Sequence, residues 1–329
     1  MNKQNNSIIR QFLITSANYV KGTNTYRYNL PSNVDIGNND QIAVQCASIY
    51  NNSFNIRAAW YNNTYFIFYD GFNLGNIPSQ FVKGSSYTDP YNPSVVVNKK
   101  YVQITIPDGY YDVPTLNAYL MQQCQLIGFY LKGLNNSGNM YFISLLVNPN
   151  QYKMEVDMFV IPNGLPTGYS MPSQNAFNLP STTQTPFLYF PASPSLNSKD
   201  YVYGSYASIF GFPDSTFFPY SPVTNSTGSN GNSQTLSTLT PTLNPITTYI
   251  FTCNLVNNKY CNPPNLFFQM PINSAYGDMM VYNSYPIFIT ARASSYQYIE
   301  ISIYDQFLNN LVLNDSEFNI TILWCQNII

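Results

Sequence analysis

The chain has no histidine among its 329 residues. That removes the Ser-His and Cys-His nucleophile arrangements, the usual zinc ligand and the commonest general base near neutral pH. Acid–base chemistry would have to run on carboxylates, tyrosine or lysine. Glu155 and Asp157 stand two apart in a strand-like segment, so their side chains share one face. Glycoside hydrolysis needs two carboxylates roughly 5 to 9.5 Å apart across a cleft, and no feature of the sequence sets this pair in one. Asp108 and Asp112 have structural roles open to them, in a Pro107-Asp108-Gly109 turn and as a helix cap. Asp35-Ile36-Gly37-Asn38-Asn39-Asp40 offers oxygen ligands and a glycine bend, as calcium loops do, but lacks their full spacing and terminal glutamate. It reads as a solvated turn. No residue is therefore assigned as catalytic, cofactor-binding or metal-ligating, no cofactor is expected, and the chain is read as a non-enzyme. Without histidine, no side chain changes charge between about pH 5.5 and 7.5 unless a carboxylate or thiol is strongly perturbed.

Five cysteines, Cys46, Cys124, Cys253, Cys261 and Cys325, are odd in number and widely spread, unlike a dense secreted framework. Free thiols are expected. Cys253 and Cys261 could close a small loop or share a metal, but two thiolates without histidine leave a tetrahedral zinc site half empty. Cys46, on a strand face, and Cys124, on a helix stripe, are expected to be buried.

Period-two alternation supplies most of the elements that would position these groups. Ile42, Val44 and Cys46 share one face of a strand; so do Val102, Ile104 and Ile106. Ile299, Ile301 and Ile303 alternate with polar residues, as do Phe318, Ile320, Ile322 and Trp324, and residues 305–315 read as the turn of a strand pair. Weaker candidates lie at 8–18, 64–69, 140–147, 152–161, 266–270 and 287–291. One helix interrupts the pattern: Asp112 caps it, Pro114 occupies its first turn, and Leu116, Leu120, Cys124 and Ile127 form a stripe that ends at Gly128. It is expected to pack on a sandwich of about ten strands.

Charged residues make up only 9% of the chain and aromatics 16%, with 30 Tyr and 44 Asn, at a net charge of −2. Neutral hydrogen-bonding groups and rings replace charge throughout. A hydrophobic content of 45% excludes disorder of the whole chain. The single adjacent basic pair, Lys99-Lys100, argues against nucleic-acid binding. No window approaches the ~20 apolar residues of a membrane span, and the start shows no signal-peptide core, so synthesis in a cytoplasm is expected. Exposed Tyr, Asn and Ser form adaptable binding surfaces, including sugar-binding ones. Charge depletion over the whole length favours extensive subunit contacts instead, because interface cores avoid Lys, Glu and Asp. From 162 to 248 proline, Ser, Thr and Asn rise and the only charges are Lys199, Asp200 and Asp214. The expected organisation is a base domain of residues 1–161 and 249–329 around an inserted subdomain or long loops, 162–248, with 225–234 as a mobile tip.

Three stretches carry a family resemblance. Asp40-Gln41-Ile42-Ala43-Val44-Gln45-Cys46-Ala47-Ser48-Ile49-Tyr50 precedes the aromatic strand Tyr65-Phe66-Ile67-Phe68-Tyr69. Ile106-Pro107-Asp108-Gly109-Tyr110-Tyr111-Asp112 leads into Leu116 to Leu120. Ile301-Ser302-Ile303-Tyr304-Asp305-Gln306-Phe307 and Phe318-Asn319-Ile320-Thr321-Ile322-Leu323 close the chain. Together they resemble the penton (vertex minor capsid) proteins of virophages and polinton-like viruses; residues 162–248 match nothing. The resemblance implies an all-β fold, a single jelly roll of two stacked antiparallel sheets with one short helix and a large loop-rich insertion facing outward. It implies a structural virion protein, a homopentamer at icosahedral vertices among major capsid protein capsomers, without enzymatic activity. A viral attachment or carbohydrate-binding protein with a β-sandwich fold is the alternative.

Overall fold

The structure, a computed structural model, describes residues 7–134, 137–192, 205–219, 231–283, 285–311, 313 and 317–327. In chain order the principal elements are β1 (Ser7–Thr15), β2 (Thr25–Ile36), β3 (Gln41–Tyr50), β4 (Thr64–Phe68), β5 (Tyr101–Thr105), α1 (Val113–Ile127), β6 (Ile143–Asn148), β7 (Lys153–Met158), β8 (Phe187–Phe190), β9 (Thr216–Phe218), β10 (Ser233–Leu236), β11 (Thr248–Cys253), β12 (Leu266–Pro271), β13 (Met279–Asn283), β14 (Ser294–Tyr304) and β15 (Phe318–Asn327). The chain divides into two compact units, Met1–Phe54 with Ile246–Ile329, and Asn55–Pro245.

The first unit is a jelly roll. One sheet runs β1-β15-β3-β13 and the other β12-β11-β14-β2, every pairing antiparallel. Successive strands cross between the sheets except at the β11–β12 pair, which shares one, as in a jelly roll. The alternating residues fill the space between them: Ile299, Ile301 and Ile303 from β14 and Phe318, Ile320, Ile322 and Trp324 from β15 are all buried. Phe318 stacks across the sandwich on Phe251 at 5.9 Å and lies 4.5 Å from Tyr26, within the range of favourable ring pairs. β14 and β15 belong to opposite sheets, so the expected strand pair joined at 305–315 is instead a crossing between layers. Pairing patterns of this kind are invisible to alternation, which is the same for every half-buried strand. β2 escaped the sequence reading because Pro31 and four polar neighbours interrupt it; the register shifts between Asn29 and Val34 to accommodate them.

The second unit has its own core. A five-stranded sheet contains β9-β8-β4-β5 in that order, and β6-β7-β10 form another sheet. α1 begins and ends as its sequence dictates: Asp112 and Thr115 form a reciprocal capping box, Pro114 sits in the first turn, and Gly128 closes the helix in the left-handed region at φ 82°. Val113, Leu116, Leu120, Cys124 and Ile127 are its buried stripe. They join a core with Ile67, Val102, Ile104, Val156 and Phe177. The helix therefore packs in the inserted unit and not on the jelly roll.

Composition places the divide at 162 and 248, whereas the contacts place it at Asn55 and Pro245. The strands at 101–106, 140–147 and 152–161 carry the same alternation as jelly-roll strands, so nothing local marks them as inserted. Of the expected tip 225–234, residues 225–230 lie outside the described residues, while Ser233 and Gln234 begin β10 and pair with Met158 and Asp157.

Ile320→Asp should leave an unpaired charge at a fully buried inward position and abolish soluble expression. Tyr260→Asp, at a position 99% exposed in the same unit, should melt as the parent does. Soluble yield and thermal melting of the two variants check the inward assignment of β15.

Candidate functional site

The carboxylates act mainly as acceptors for the backbone. Asp112 accepts from the Thr115 N–H at 2.8 Å, the cap read from sequence, while Asp108 accepts from the distant Ala58 N–H at 2.7 Å and not from within its own Pro107-Asp108-Gly109 turn. Asp40 departs from its expected place in a solvated turn. It is 3% exposed, and its Oδ2 accepts from the Gly37 N–H at 2.9 Å and from the Trp324 indole at 3.1 Å. Asp305 is buried too and accepts from Phe307 and Asn309 N–H groups at 2.7 and 3.0 Å. Such bonds offset the desolvation of a carboxylate.

Glu155 and Asp157 do lie on one face of β7. The Glu155 carboxylate accepts from Asn148 of β6 at 3.3 Å and Gln234 of β10 at 3.2 Å. Asp157 is 5% exposed, and its Oδ1 has no hydrogen-bond partner among the described residues. Burial, reinforced by repulsion from Glu155, pushes Asp157 up to about 6. One carboxylate at the edge of neutral pH beside one held by amides resembles an acid–base pair in its charges. None of the cavities described below is lined by either residue. Among the described residues no three metal-ligating side chains cluster, and no helix is long and apolar enough to cross a membrane.

All five thiols are free. Cys253 accepts weakly from the Leu255 N–H at 3.5 Å, while Cys261 accepts from Asn258 Nδ2 at 3.0 Å, so each has separate local partners. Burial pushes the Cys124 and Cys253 thiols up to about 12. Cys46, expected in the core, is half-buried. The β3–β15 register slips between Thr321 and Ile322, where Gln45 is the extra residue, and this bulge turns the inward set from Ile42 and Val44 to Ala47 and Ile49.

Among the described residues, cavities above 200 Å³ open in both units. In the jelly roll, one of about 360 Å³ lies between the 257–260 loop and Phe288–Thr290, and one of about 220 Å³ borders Thr252 and Tyr304. In the second unit, a groove of about 230 Å³ opens beside β4 and β5. Its floor is an aromatic cluster that includes Phe66, Phe68, Tyr87, Tyr189 and Phe217. The sequence reading missed it, although a signal was present: in β4 Tyr65 and Ile67 face the main core while Phe66 and Phe68 face this second cluster, so the strand reads as a continuous apolar run.

For the Asp157 group the folded-state value, about 6, lies above its ordinary 3.8. The native state thus holds the proton more tightly, and its stability falls as pH rises from about 4 to 6. Asp157→Asn should flatten that slope, by at most about 3 kcal/mol, in chemical unfolding followed between pH 4 and 7. Against a thiol reagent under native conditions, Cys124 and Cys253 should label slowly and Cys46, Cys261 and Cys325 faster; mass spectrometry of the labelled peptides reads the order.

No protein-family model and no curated protein sequence matches the chain. Among solved structures, the crystal structure of the mavirus penton protein aligns over 98% of this chain and 100% of its own, at 11% identity and a TM-score of 0.40. A chain of the 3.5 Å cryo-EM structure of the Sputnik virophage aligns over 98% of both chains, at 12% identity and a TM-score of 0.34. The jelly-roll assignment rests on the strand order of the chain itself, and across almost its whole length the chain is similar to a virophage penton protein.

Proposed function

We propose that this chain is a structural virion protein, a penton or minor capsid protein. Its jelly-roll unit associates as a homopentamer at icosahedral vertices, bordered by major capsid protein capsomers. It is made in the host cytoplasm, ends in the capsid, and has no enzymatic role and no sequence-specific nucleic-acid contact. The mavirus penton protein, similar over nearly the whole chain, supports the lineage. The observation that carries the role is the outward face of the β1-β15-β3-β13 sheet. Ile9, Leu13, Met279 and Val281 are 59, 55, 46 and 67% exposed there. The pairing register puts Gln11, Leu323, Cys325, Ser48 and Asn319 on the same face, with no charged residue among them. A face that is apolar, polar-neutral and free of charge is costly to leave in water and inexpensive to desolvate, which is what a subunit contact requires.

The purified chain should sediment as a pentamer, and Leu13→Lys combined with Val281→Lys should release monomers that keep the parent's circular dichroism spectrum and melt cooperatively, at a lower temperature because association no longer stabilises the native state. A chain that stays monomeric at capsid-like concentrations, and does not join capsomers on mixing, would overturn the vertex role.

A further inference from the structure

The groove of the second unit is built to hold a ligand. At its mouth stand Tyr61 and Tyr91, 49 and 40% exposed, their rings edge to face at 5.9 Å. Tyr61 caps a short 3₁₀ turn, Ala58–Trp60, in the left-handed region at φ 54°, a conformation unusual for a bulky side chain. Phe66 and Tyr87 form the floor, 4.3 Å apart and nearly buried. The two walls are tied together from behind by Asp89, which is fully buried. Its carboxylate accepts from the N–H groups of Tyr91 and Asn92 at 2.8 and 3.2 Å, from the Ala192 N–H at 3.2 Å, and from the Tyr189 hydroxyl. Tyr91 and Ala192 both line the groove, so its width is set before any ligand arrives.

The chemistry of the lining selects the class of ligand. No lining residue is charged, so nothing there recognises a phosphate, a carboxylate or an ammonium group. A wholly apolar ligand fits poorly as well, because it would bury the Gln103 amide, whereas Asn63 is already engaged, donating to the Ile106 carbonyl at 3.2 Å and accepting from the Thr64 hydroxyl at 3.3 Å. Gln103 makes only a long 3.4 Å bond to Thr105 Oγ1. The Tyr87 hydroxyl is buried with no hydrogen-bond partner among the described residues, so Tyr87 offers the groove its ring and not its hydroxyl. Rings that present flat apolar area at small entropic cost, beside adaptable amides and hydroxyls, match a molecule with apolar C–H faces and a rim of neutral hydroxyls.

We propose that this groove binds a neutral saccharide, with the exposed rings of Tyr61 and Tyr91 against one apolar face of the sugar and Gln103 on its hydroxyls. The site is independent of the vertex role, since it uses only residues of the second unit.

The test is a glycan array carrying neutral glucose-, galactose- and mannose-terminated oligosaccharides and sialylated ones, probed with the full chain. Binding should be confined to neutral glycans. Tyr91→Ala should lower the signal at least tenfold, Tyr91→Phe should retain it, and both should melt as the parent does. The proposal is overturned if the parent binds no neutral glycan, if sialylated glycans bind better, or if Tyr91→Ala and Gln103→Ala both bind like the parent. Should Tyr91→Ala fail to fold, Gln103→Ala and Tyr61→Ala carry the same comparison.

Discussion

The jelly roll depends on one long-range pairing: β15 lies between β1 and β3, strands from the opposite end of the chain. Without it the sheet splits, and the inward row of Phe318, Ile320, Ile322 and Trp324 has nothing to cover. The chain meets this constraint by pinning the points where the insertion leaves and returns. Asn51, just past β3, is 3% exposed. Its backbone pairs with Asp278 and Gly277 at 2.9 and 2.7 Å, its amide donates to the Ser274 carbonyl at 3.0 Å, and the Tyr249 hydroxyl of β11 donates to its Oδ1 at 3.4 Å. The ends of the insertion are thereby set within the jelly roll's own hydrogen bonding. Inserted length then costs little, since closure entropy grows only by about 0.6 kcal/mol per doubling.

Scarcity of charge shapes both units in the same way. Buried aspartates serve as local knots: Asp40 joins the β2–β3 turn to Trp324, Asp89 joins two loops of the aromatic groove, and Asp305 organises the turn after β14. Each takes N–H donors, whose bonds offset the desolvation of its carboxylate. The two salt bridges among the described residues, Arg27–Glu300 and Lys99–Asp70, are at the surface and contribute little. Rings take over the packing role that aliphatic chains have elsewhere. Burial holds the phenols of Tyr65 and Tyr206 neutral by raising them well above their ordinary range, so they behave as large apolar groups.

The absence of histidine leaves pH sensing to perturbed carboxylates, and Asp157 is one such group near neutrality. Its partner Glu155 is held by amides from both flanking strands, so the pair reports on the integrity of the β6-β7-β10 sheet.

Local physics made much of this legible in advance. The cap at Asp112, the stripe from Leu116 to Ile127 and the stop at Gly128 concern residues within a few positions of one another, and the helix forms where they place it. The inward rows of β14 and β15 follow from alternation alone, because a strand with one polar face has only one way to turn. Composition likewise showed a chain poor in charge along its whole length. The partners of each strand were decided only by the tertiary structure, since the alternation of β5 or β7 is indistinguishable from that of β3. Hence the second unit begins at Asn55 and not at 162 where composition shifts, while its end at Pro245 lies close to the compositional edge at 248. The bulge at Gln45 turned Cys46 away from the core, and the approach of Trp324 drew Asp40 out of solvent. The groove joins β4, β5, the loop at Tyr91 and Ala192, segments far apart in the chain that meet only when the sheet is formed.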